Sequence, residues 1–272
     1  MNSHDIIIVR GAGDLATGVI AMLHQAGFCV IATESEEPTC IRRTVSFAET
    51  LYAQSLSIEG IHSEYAKDIQ SATRLIEQGI VPVMIDPECR IVSEINPDIV
   101  VDAIIAKKNL GTRIDMAPLV IALGPGFTAG VDCHYVIETQ RGHNLGRVIS
   151  SGTAAANTGI PGMIGGFGKE RVIHSPASGV FVEICKIGDS VHENQTVAQI
   201  AKDEGGAVDV KANIPGCLRG LLHGGLEVFQ GMKVGDVDPR DDACYCYTIS
   251  DKARTIAGGV LQLVTAFHNS RR

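Results

Sequence analysis

The residues best suited to chemistry lie near the start of the chain, where an apolar run ends at Arg10. Residues 11–16 read GAGDLA, which fits the G-x-G-x-x-A pattern of turns that bind a diphosphate. In such a turn Gly11 allows the bend, Gly13 lets the backbone approach the ligand, and Ala16 lets the next helix pack closely. The helix N-terminus offers N–H groups to an anion, and Arg10 can bind phosphate oxygens. The pattern predicts a nucleotide-like ligand or, alternatively, a turn that serves only the fold.

Two acidic residues bear on whether that ligand is a dinucleotide. Glu34 ends the second predicted strand, where dinucleotide folds place the carboxylate that binds the ribose, and it favours NAD(P). Several carboxylates surround it in TESEEP (33–38), so it is not uniquely marked. Asp14 would repel a diphosphate at the helix N-terminus, although Asp is also a common N-cap residue. An NAD(P)-dependent oxidoreductase therefore remains one alternative.

Basic and polar residues follow the predicted strands, although the chain has 31 acidic and only 23 basic side chains. Ligands of parallel sheets bind beyond the carboxyl ends of the strands, so a basic rim there indicates a small anion such as phosphate, diphosphate or carboxylate. The alternative is that these loop charges are simply solvated. The candidate binding residues are Arg10, Gly11, Gly13, Asp14, Glu34, Arg42, Arg43, Lys107, Lys108, Asn109, Thr112 and Arg113.

No catalytic residue stands out. Cys133 and His134 are neighbours, and in a strand their side chains would point to opposite faces. The chain has no H-E-x-x-H, G-x-S-x-G or Walker motif. Cys244 and Cys246 lack the spacing of a zinc site. We predict no metal site and leave open whether the chain is an enzyme.

Composition excludes several classes of protein. A net charge of −8 and a pI near 5.6 argue against a nucleic-acid partner. No stretch approaches the roughly 18 apolar residues of a membrane span, and no signal-peptide pattern is present. Eight irregularly spaced cysteines without an export signal indicate reduced thiols. We expect a cytoplasmic protein with no nucleic-acid or membrane partner, and leave a homo-oligomer open.

The elements that must position the polar residues alternate between strands and helices over residues 1–150. Helix-length segments lie at about 14–26, 46–53 and 63–79. This alternation, with Ile- and Val-rich runs, predicts an α/β fold with a Rossmann-like, mainly parallel sheet that forms a ligand-binding domain. The predicted strands are 6–10, 28–33, 80–85, 98–105, 118–123 and 134–138.

The sequence changes character after residue 150. Residues 151–170 are mostly small, which is typical of a linker or of a loop whose bare backbone approaches a ligand. Residues 178–200 are similar to residues 215–237, at a constant offset of 37. Two such strand–turn–strand copies predict one shared β module over 171–250. Residues 251–272 predict a C-terminal helix.

The first copy of the repeat resembles half of a lipoyl or biotinyl carrier domain, and the pair predicts an all-β barrel-sandwich hybrid. Carrier domains present a modifiable lysine between the two halves. In this chain that region reads AKDEGGAVDVKAN and lacks the usual setting of that lysine. The module is therefore expected to be structural or a docking surface.

Several motifs together resemble the YqeB-like proteins of selenium-dependent molybdenum hydroxylase systems. They are VRGAGDLATGVI, RRTVSFAE, VVDAIIAKKNLGT, ALGPGFTAGVDCHYVIETQRGHNLGRVI, GMKVGDVDPR and ISDKARTIAGGVL. The resemblance spans nearly the whole chain, and the N-terminal part is distantly similar to the Rossmann domain of XdhC-type chaperones, which deliver sulfurated molybdopterin cofactor. The resemblance to YqeB-like proteins implies an accessory role in hydroxylase maturation, and it identifies no reaction and no catalytic residue.

The sequence therefore predicts an accessory or maturation factor for a selenium-dependent molybdenum hydroxylase. Its expected partners are that hydroxylase or its cofactor pathway, together with a small anionic ligand. The ligand is expected to be a molybdopterin-type cofactor or NAD(P). The alternatives are an NAD(P)-dependent oxidoreductase and a non-catalytic scaffold protein.

Overall fold

A computed structural model describes residues 6–159, 162–202 and 205–271, and the chain divides into two units. The first unit comprises Met1–Pro38, Ser46–Thr158 and Ile249–Arg272, and the second comprises Thr39–Val45 and Gly159–Thr248. Residues 160–161 of the predicted linker lie outside the described residues. Within the described part, no helix is both long enough and apolar enough to cross a membrane.

The first unit is built on a large mixed sheet. Its strands are β1 (Ile6–Arg10), β2 (Cys29–Glu34), β3 (Ser55–Ile58), β4 (Ile61–Tyr65), β5 (Val81–Ile85), β6 (Ile99–Asp102), β7 (Leu119–Leu123), β8 (Thr128–Ala129), β9 (Tyr135–Ile137), β10 (Val148–Ile149) and β11 (Gly152–Thr153). Nine of them pair in the order β10-β9-β7-β6-β1-β2-β5-β4-β3, while β8 and β11 form a two-stranded ribbon. The inner pairs are parallel, and β3–β4 and β9–β10 at the two edges are antiparallel.

Helices cover this sheet and complete its core. α3 and α4 bury Leu75 and Val92 in one cluster with Ile8 and Val120 of the sheet. Alternate residues of a strand point to opposite faces, so the sheet has a second apolar face to cover. The helices of the unit are α1 (Asp14–Gln25), α2 (Thr50–Ala53), α3 (Ile69–Glu77), α4 (Ile91–Ile95) and α5 (Asp251–Asn269).

Close packing between α1 and α5 depends on glycine. A Cβ atom added at Gly18 would lie 2.8 Å from the Cβ of Ala253, so only glycine fits at this crossing of the two helices. Further along α5, a Cβ atom at Gly259 would collide with the carbonyl oxygen of Gly146. The adjacent Gly258 is exposed and faces open space. Small residues thus let the first and last helices of the unit pack closely.

The second unit consists of two four-stranded antiparallel sheets. Their orders are β12-β19-β17-β14 and β16-β15-β13-β18. The sequence repeat is visible in these sheets, because β13, β14 and β15 recur 37 residues later as β17, β18 and β19. The strands are β12 (Val172–His174), β13 (Gly179–Glu183), β14 (Ser190–Val191), β15 (Thr196–Ala201), β16 (Ala207–Lys211), β17 (Gly216–Leu221), β18 (Glu227–Val228) and β19 (Lys233–Asp238).

The structure is α/β, but the architecture predicted from the sequence is wrong. In place of a Rossmann-like, mainly parallel sheet, the first unit has a mixed sheet with antiparallel strands at both edges. The described residues of the second unit form two sheets and show no lipoyl- or biotinyl-like barrel-sandwich module. β12 and β16, which lie outside the aligned copies, pair with β19 and β15. The repeat predicted similar strands, but their partners depend on contacts that its spacing does not specify.

The second unit buries a charged side chain at the end of β19. Asp238 is fully buried and accepts hydrogen bonds from Arg240 Nε at 2.9 Å and Arg240 Nη2 at 2.6 Å. Burial acts to raise the pKa of Asp238, but the bonds from Arg240 outweigh it and lower the pKa. Because the folded-state pKa lies below the unfolded value, Asp238 stabilises the fold at neutral pH. This stabilisation is lost as the pH falls through the folded pKa.

We predict that Asp238→Asn flattens the acid dependence of stability. The free energy of unfolding of the wild type should fall more steeply than that of the variant as the pH drops from about 5 towards 2. Urea unfolding followed by circular dichroism across this range measures both slopes. Equal slopes would contradict the role given to Asp238.

We also predict opposite effects of alanine at two adjacent glycines of α5. Gly258→Ala should raise the free energy of unfolding by about 0.5–1 kcal/mol, since alanine favours helix and the site is open. Gly259→Ala should lower it by about 1–3 kcal/mol, since the methyl group would meet the Gly146 backbone. Denaturant unfolding of the two variants checks the contrast, and the same sign for both would be inconsistent with this packing of α5.

Candidate functional site

Arg10 ends β1 in the middle of the sheet and is 1% exposed. It lies beside Asp102 of β6 in parallel register. Its guanidinium donates to the Asp102 carboxylate at 3.4 Å, to the Thr112 hydroxyl, and to the carbonyl oxygens of Pro87 at 3.1 Å and Leu110 at 3.2 Å. One buried cation thus joins the loops that follow β5 and β6.

Asp102 is the acidic centre of this network. Its Oδ2 accepts from the Thr112 hydroxyl at 2.5 Å, and its Oδ1 accepts from the backbone N–H of Ile104 at 3.2 Å. Burial raises the pKa of Asp102, while the Thr112 hydroxyl and the Arg10 charge act against that rise. A buried carboxyl of this kind needs its cation, so Arg10 and Asp102 depend on each other.

The network fills the crevice in which parallel sheets usually bind ligands. From β1 the chain builds outward to β2 on one side, and it later returns to add β6 on the other. Such a reversal of strand order marks the usual binding crevice. Arg10 and Thr112, both predicted as ligand-binding residues, lie buried there and bond to the protein itself. They support the loops, and the one group of Arg10 that lacks a hydrogen-bond partner among the described residues, its Nε, is buried.

The loop after β6 is held in shape by Asn109. Its Oδ1 accepts from the N–H groups of Gly111 at 2.9 Å and Thr112 at 2.8 Å, and its Nδ2 donates to the Thr112 carbonyl at 2.8 Å. Two residues of this loop have left-handed backbone, Ile105 at φ 59° and Lys107 at φ 62°. That conformation is costly for a β-branched residue such as Ile105. The loop therefore keeps a shape that its own residues disfavour.

This organised loop presents two free cations. Lys107 and Lys108 are exposed, and neither has a hydrogen bond or ion pair with any residue that the structure describes. Backbone contact with Gly126 supports them, because an added Cβ there would lie 2.7 Å from the Cα of Lys108. Arg113 is exposed as well, but it pairs with Asp115 at 3.0 Å. Of the predicted basic cluster, the two lysines are the groups available to an anion.

The remaining two predicted arginines belong to the second unit. Arg42 donates to the Tyr245 carbonyl at 2.9 Å. Arg43 donates to the Leu221 carbonyl at 2.8 Å and to the Glu183 carboxylate at 3.0 Å. These bonds fasten residues 39–45 to the second unit, whereas the glycine loop lies in the first.

The glycine loop touches β2 on one side of β1 and the loop that follows β6 on the other. Gly11 has φ +93° and donates its N–H to the Thr33 carbonyl at 2.7 Å, and a Cβ there would lie 3.0 Å from the Ile104 backbone. Glycine is required on both counts. The Glu34 carboxylate accepts from the Ala12 N–H at 2.9 Å. The residue predicted to bind a ribose is therefore bonded to the loop itself.

The N-terminus of α1 remains open. Gly13 occupies the N-cap position, and no side chain there bonds to the first N–H groups of the helix. A Cβ atom added at Gly13 would have no atom within 4 Å among the described residues. Its φ of −67° is accessible to any residue. Asp14 begins the first turn, half-buried. The first N–H groups of a helix are free to bond an anion when no side chain caps them.

A lysine that the sequence did not indicate lies near this helix end. Lys252, one residue before the Gly18–Ala253 contact, is half-buried and has no hydrogen bond or ion pair with any described residue. Burial and the charge of Arg141 lower the pKa of Lys252, and Asp14 acts in the opposite direction. Only the packing of α5 on α1 brings it here, so no local motif could have identified it.

A second concave surface of the first unit has the opposite charge. The cleft of about 870 Å³ beyond the end of β5 has an apolar base that includes Met84 and Ile91. Carboxylates outnumber cations around it, which does not suit an anion. The charged residues lining it are Glu36, Lys67, Asp68, Asp86, Glu88, Arg90 and Glu94.

No protein-family model matches the chain. The chain is 50% identical over 261 residues to the uncharacterized protein YqeB of Escherichia coli (strain K12), which covers 96% of this chain and 47% of YqeB. The chain thus spans about half the length of the curated relative it matches. The comparison confirms that the chain is YqeB-like over most of its length, and it carries nothing about selenium or molybdenum.

Solved structures give only weak likenesses. An aspartoacylase family protein from Mesorhizobium loti maff303099 is 12% identical, covering 86% of this chain and 84% of its own, with a TM-score of 0.29. A succinylglutamate desuccinylase/aspartoacylase from Rhodobacter sphaeroides is 14% identical, covering 86% and 85%, also at 0.29. Values this low carry no argument about this chain. The described residues include no group of three His, Cys, Asp or Glu side chains that could hold a metal ion.

We predict that Arg10→Met lowers the free energy of unfolding by about 3–5 kcal/mol, because it leaves the buried Asp102 without its cation. Arg113→Met, which removes an exposed arginine, should change it by less than about 0.5 kcal/mol. Denaturant unfolding measures both. Arg10→Met/Asp102→Leu should recover part of the loss, and an Arg10→Met protein as stable as the Arg113 variant would refute this account.

Proposed function

We propose that this chain is an accessory factor in the maturation of a selenium-dependent molybdenum hydroxylase and that its first unit binds an anionic, nucleotide-like ligand. The hydroxylase role rests on the resemblance of its motifs to YqeB-like proteins. The binding role rests on the geometry at the carboxyl ends of the central strands of the mixed sheet. The ligand we propose is the phosphate or diphosphate part of a molybdopterin-type cofactor.

The observation that carries the binding proposal is the open N-terminus of α1. Gly13 leaves the first turn without a side-chain cap and leaves open space beside it. The helix dipole favours negative charge at this end. Asp14 opposes an anion there, so a cationic side chain close to the site is needed to offset its charge.

Three lysines of the first unit can supply that charge. Lys107 and Lys108 extend from the loop whose first residues contact Gly11, and Lys252 lies near Asp14. None of the three has a hydrogen bond or an ion pair among the described residues, although the charges of Asp251 and Glu138 also act on Lys252. In this proposal Arg10, Thr112 and Asn109 fix the loop that presents the first two lysines, and they do not touch the ligand.

The contact of Glu34 with the loop argues against the oxidoreductase alternative. An NAD(P) enzyme needs its ribose-binding carboxylate free, and here that carboxylate accepts bonds from Ala12 and Ser35 at 2.9 and 2.8 Å. A panel of NAD(H), NADP(H) and molybdopterin dinucleotides, followed by thermal shift, separates the alternatives. Stabilisation by pterin dinucleotides supports our proposal. A shift with NAD(P) alone favours an oxidoreductase, and no shift favours a scaffold.

The hydroxylase role needs a test in cells. Selenium content and activity should fall in a selenium-dependent hydroxylase purified from cells that lack this protein, and the wild-type chain should restore both. A Lys107→Met/Lys108→Met chain should restore them poorly if ligand binding serves maturation. Unchanged selenium content and activity in the deleted cells would exclude the role.

Gly13→Asp gives the sharpest test of the binding site. An aspartate N-cap should preserve or slightly raise stability, by a few tenths of a kcal/mol, because aspartate caps helices at least as well as glycine. The same carboxylate would occupy the helix N–H groups and repel an anion. We expect ligand affinity to fall by roughly tenfold or more, by isothermal titration calorimetry.

Gly13→Ala is the matched control, since it keeps the backbone and adds no charge. It should bind the ligand nearly as the wild type does. If Gly13→Asp folds and binds as tightly as Gly13→Ala, the helix N-terminus is not the binding site.

A further inference from the structure

Arg171 is a buried cation without a hydrogen-bonding partner for its guanidinium. It ends the 3-10 turn that leads into β12 and is 7% exposed. Within the described residues its guanidinium donates no hydrogen bond, and both Nε and Nη1 are buried and unsatisfied. Its nearest carboxylate oxygen is Asp236 Oδ2, at 3.5 Å. Arginine cannot shed its charge, so these donors require a partner.

Asp236, which lies beside Arg171, also has a buried atom without a hydrogen-bond partner in the described part of the chain. It is 6% exposed on β19 and stands opposite Val172 of β12 and Gly220 of β17. Its Oδ1 has no hydrogen-bond partner among the residues that the structure describes. Arg171 Nη1 lies 3.5 Å from Asp236 Oδ2, yet Nη1, Nε and the other carboxylate oxygen, Oδ1, have no hydrogen-bond partner among the described residues. Buried polar atoms without partners on both members of one ion pair indicate a third group beside it.

Positive charge surrounds this pair. Arg219 is the extra residue of a bulge in β17, between Leu218 and Gly220, and a bulge can redirect a side chain. Its Nη1 lies 3.5 Å from Oδ2 of Asp238, whose carboxylate Arg240 already holds, and its Nε donates to the Tyr245 carbonyl at 3.4 Å. The groups that act on Asp236 are Arg171, Lys233, Arg219 and Arg42. Lys233 and Arg240 are exposed, but among the side chains that are about a tenth exposed or less three arginines, Arg171, Arg219 and Arg42, face two carboxylates, Asp236 and Asp238.

The charge excess distinguishes two kinds of missing group. A water molecule would satisfy the free N–H and oxygen atoms but would leave the excess of positive charge. An oxyanion would accept from the guanidiniums and also balance their charge. Burial raises the pKa of Asp236, against the effect of the cations around it, and a protonated carboxyl could donate to the same anion.

We infer that Arg171, Arg219 and Asp236 form a binding site for a small oxyanion of the phosphate or sulfate class inside the second unit. This site goes beyond the proposed function, because its residues belong to a different unit from the N-terminus of α1. Its ligand is a small inorganic-type anion enclosed by side chains.

The test uses the full chain carrying Lys107→Met/Lys108→Met, which weakens the site of the first unit. Equilibrium dialysis with labelled phosphate or sulfate, at constant ionic strength, should give one bound anion per chain. Arg171→Met in this background should weaken binding by roughly tenfold or more. Asp236→Asn, which keeps a polar group and removes a negative charge, should bind at least as tightly.

Lys186→Met is the matched control, since it removes an exposed lysine of the same unit, and its binding should be unchanged. Circular dichroism checks that each variant folds. If Arg171→Met does not fold, Arg171→Lys replaces it and should bind more weakly than the parent, because lysine lacks the two-pronged guanidinium. Absence of bound phosphate and sulfate in the parent overturns the inference, as does equal binding by the parent and the folded Arg171 variant.

Discussion

The Arg10–Asp102 ion pair is the constraint on which the rest of the first unit depends. It is buried at the point where the sheet reverses its strand order, and it reaches the loops after β5 and β6. A buried pair of this kind adds little net stability over a well-packed apolar pair, yet losing one partner is costly. We expect the pair to stabilise one arrangement of these loops, because its hydrogen bonds join them. The loop after β6 carries Lys107 and Lys108. The position of these two exposed lysines therefore depends on an ion pair that is buried.

Much of the secondary structure could be predicted because hydrophobic period and end signals are local. Strands at 6–10, 118–123 and 134–138, the helix that begins at Asp14, and the C-terminal helix are confirmed with small shifts in their bounds. The helix predicted over 63–79 is wrong in its first part, which is the end of β4. Asp68 caps α3 through Ser71, so a local cap divides one apolar pattern into two elements.

What could not be predicted depends on pairing between distant residues. The β3–β4 hairpin turns at Glu59 and Gly60, with φ of 49° and 81°, and Glu-Gly is a weaker turn signal than Asn-Gly or Asp-Gly. The sequence placed Arg10 beside a ligand, because nothing local shows that Asp102, 92 residues away, lies next to it. Lys252 was missed for the same reason. The binding residues of the glycine loop and the lysine pair remain predictions.

The packing of α5 on α1 has a consequence for folding during synthesis. The second unit is inserted between two parts of the first, so the ribosome makes β1 to β11 and then about ninety residues of another unit before α5 emerges. Until then the surface of α1 around Gly18 has no covering helix. Nascent chains in this condition are prone to aggregate and to bind chaperones. Most of the second unit is synthesised after β1 to β11 of the first unit. All strands of the second unit are nevertheless complete before α5 is made, so the second unit can finish folding before the first.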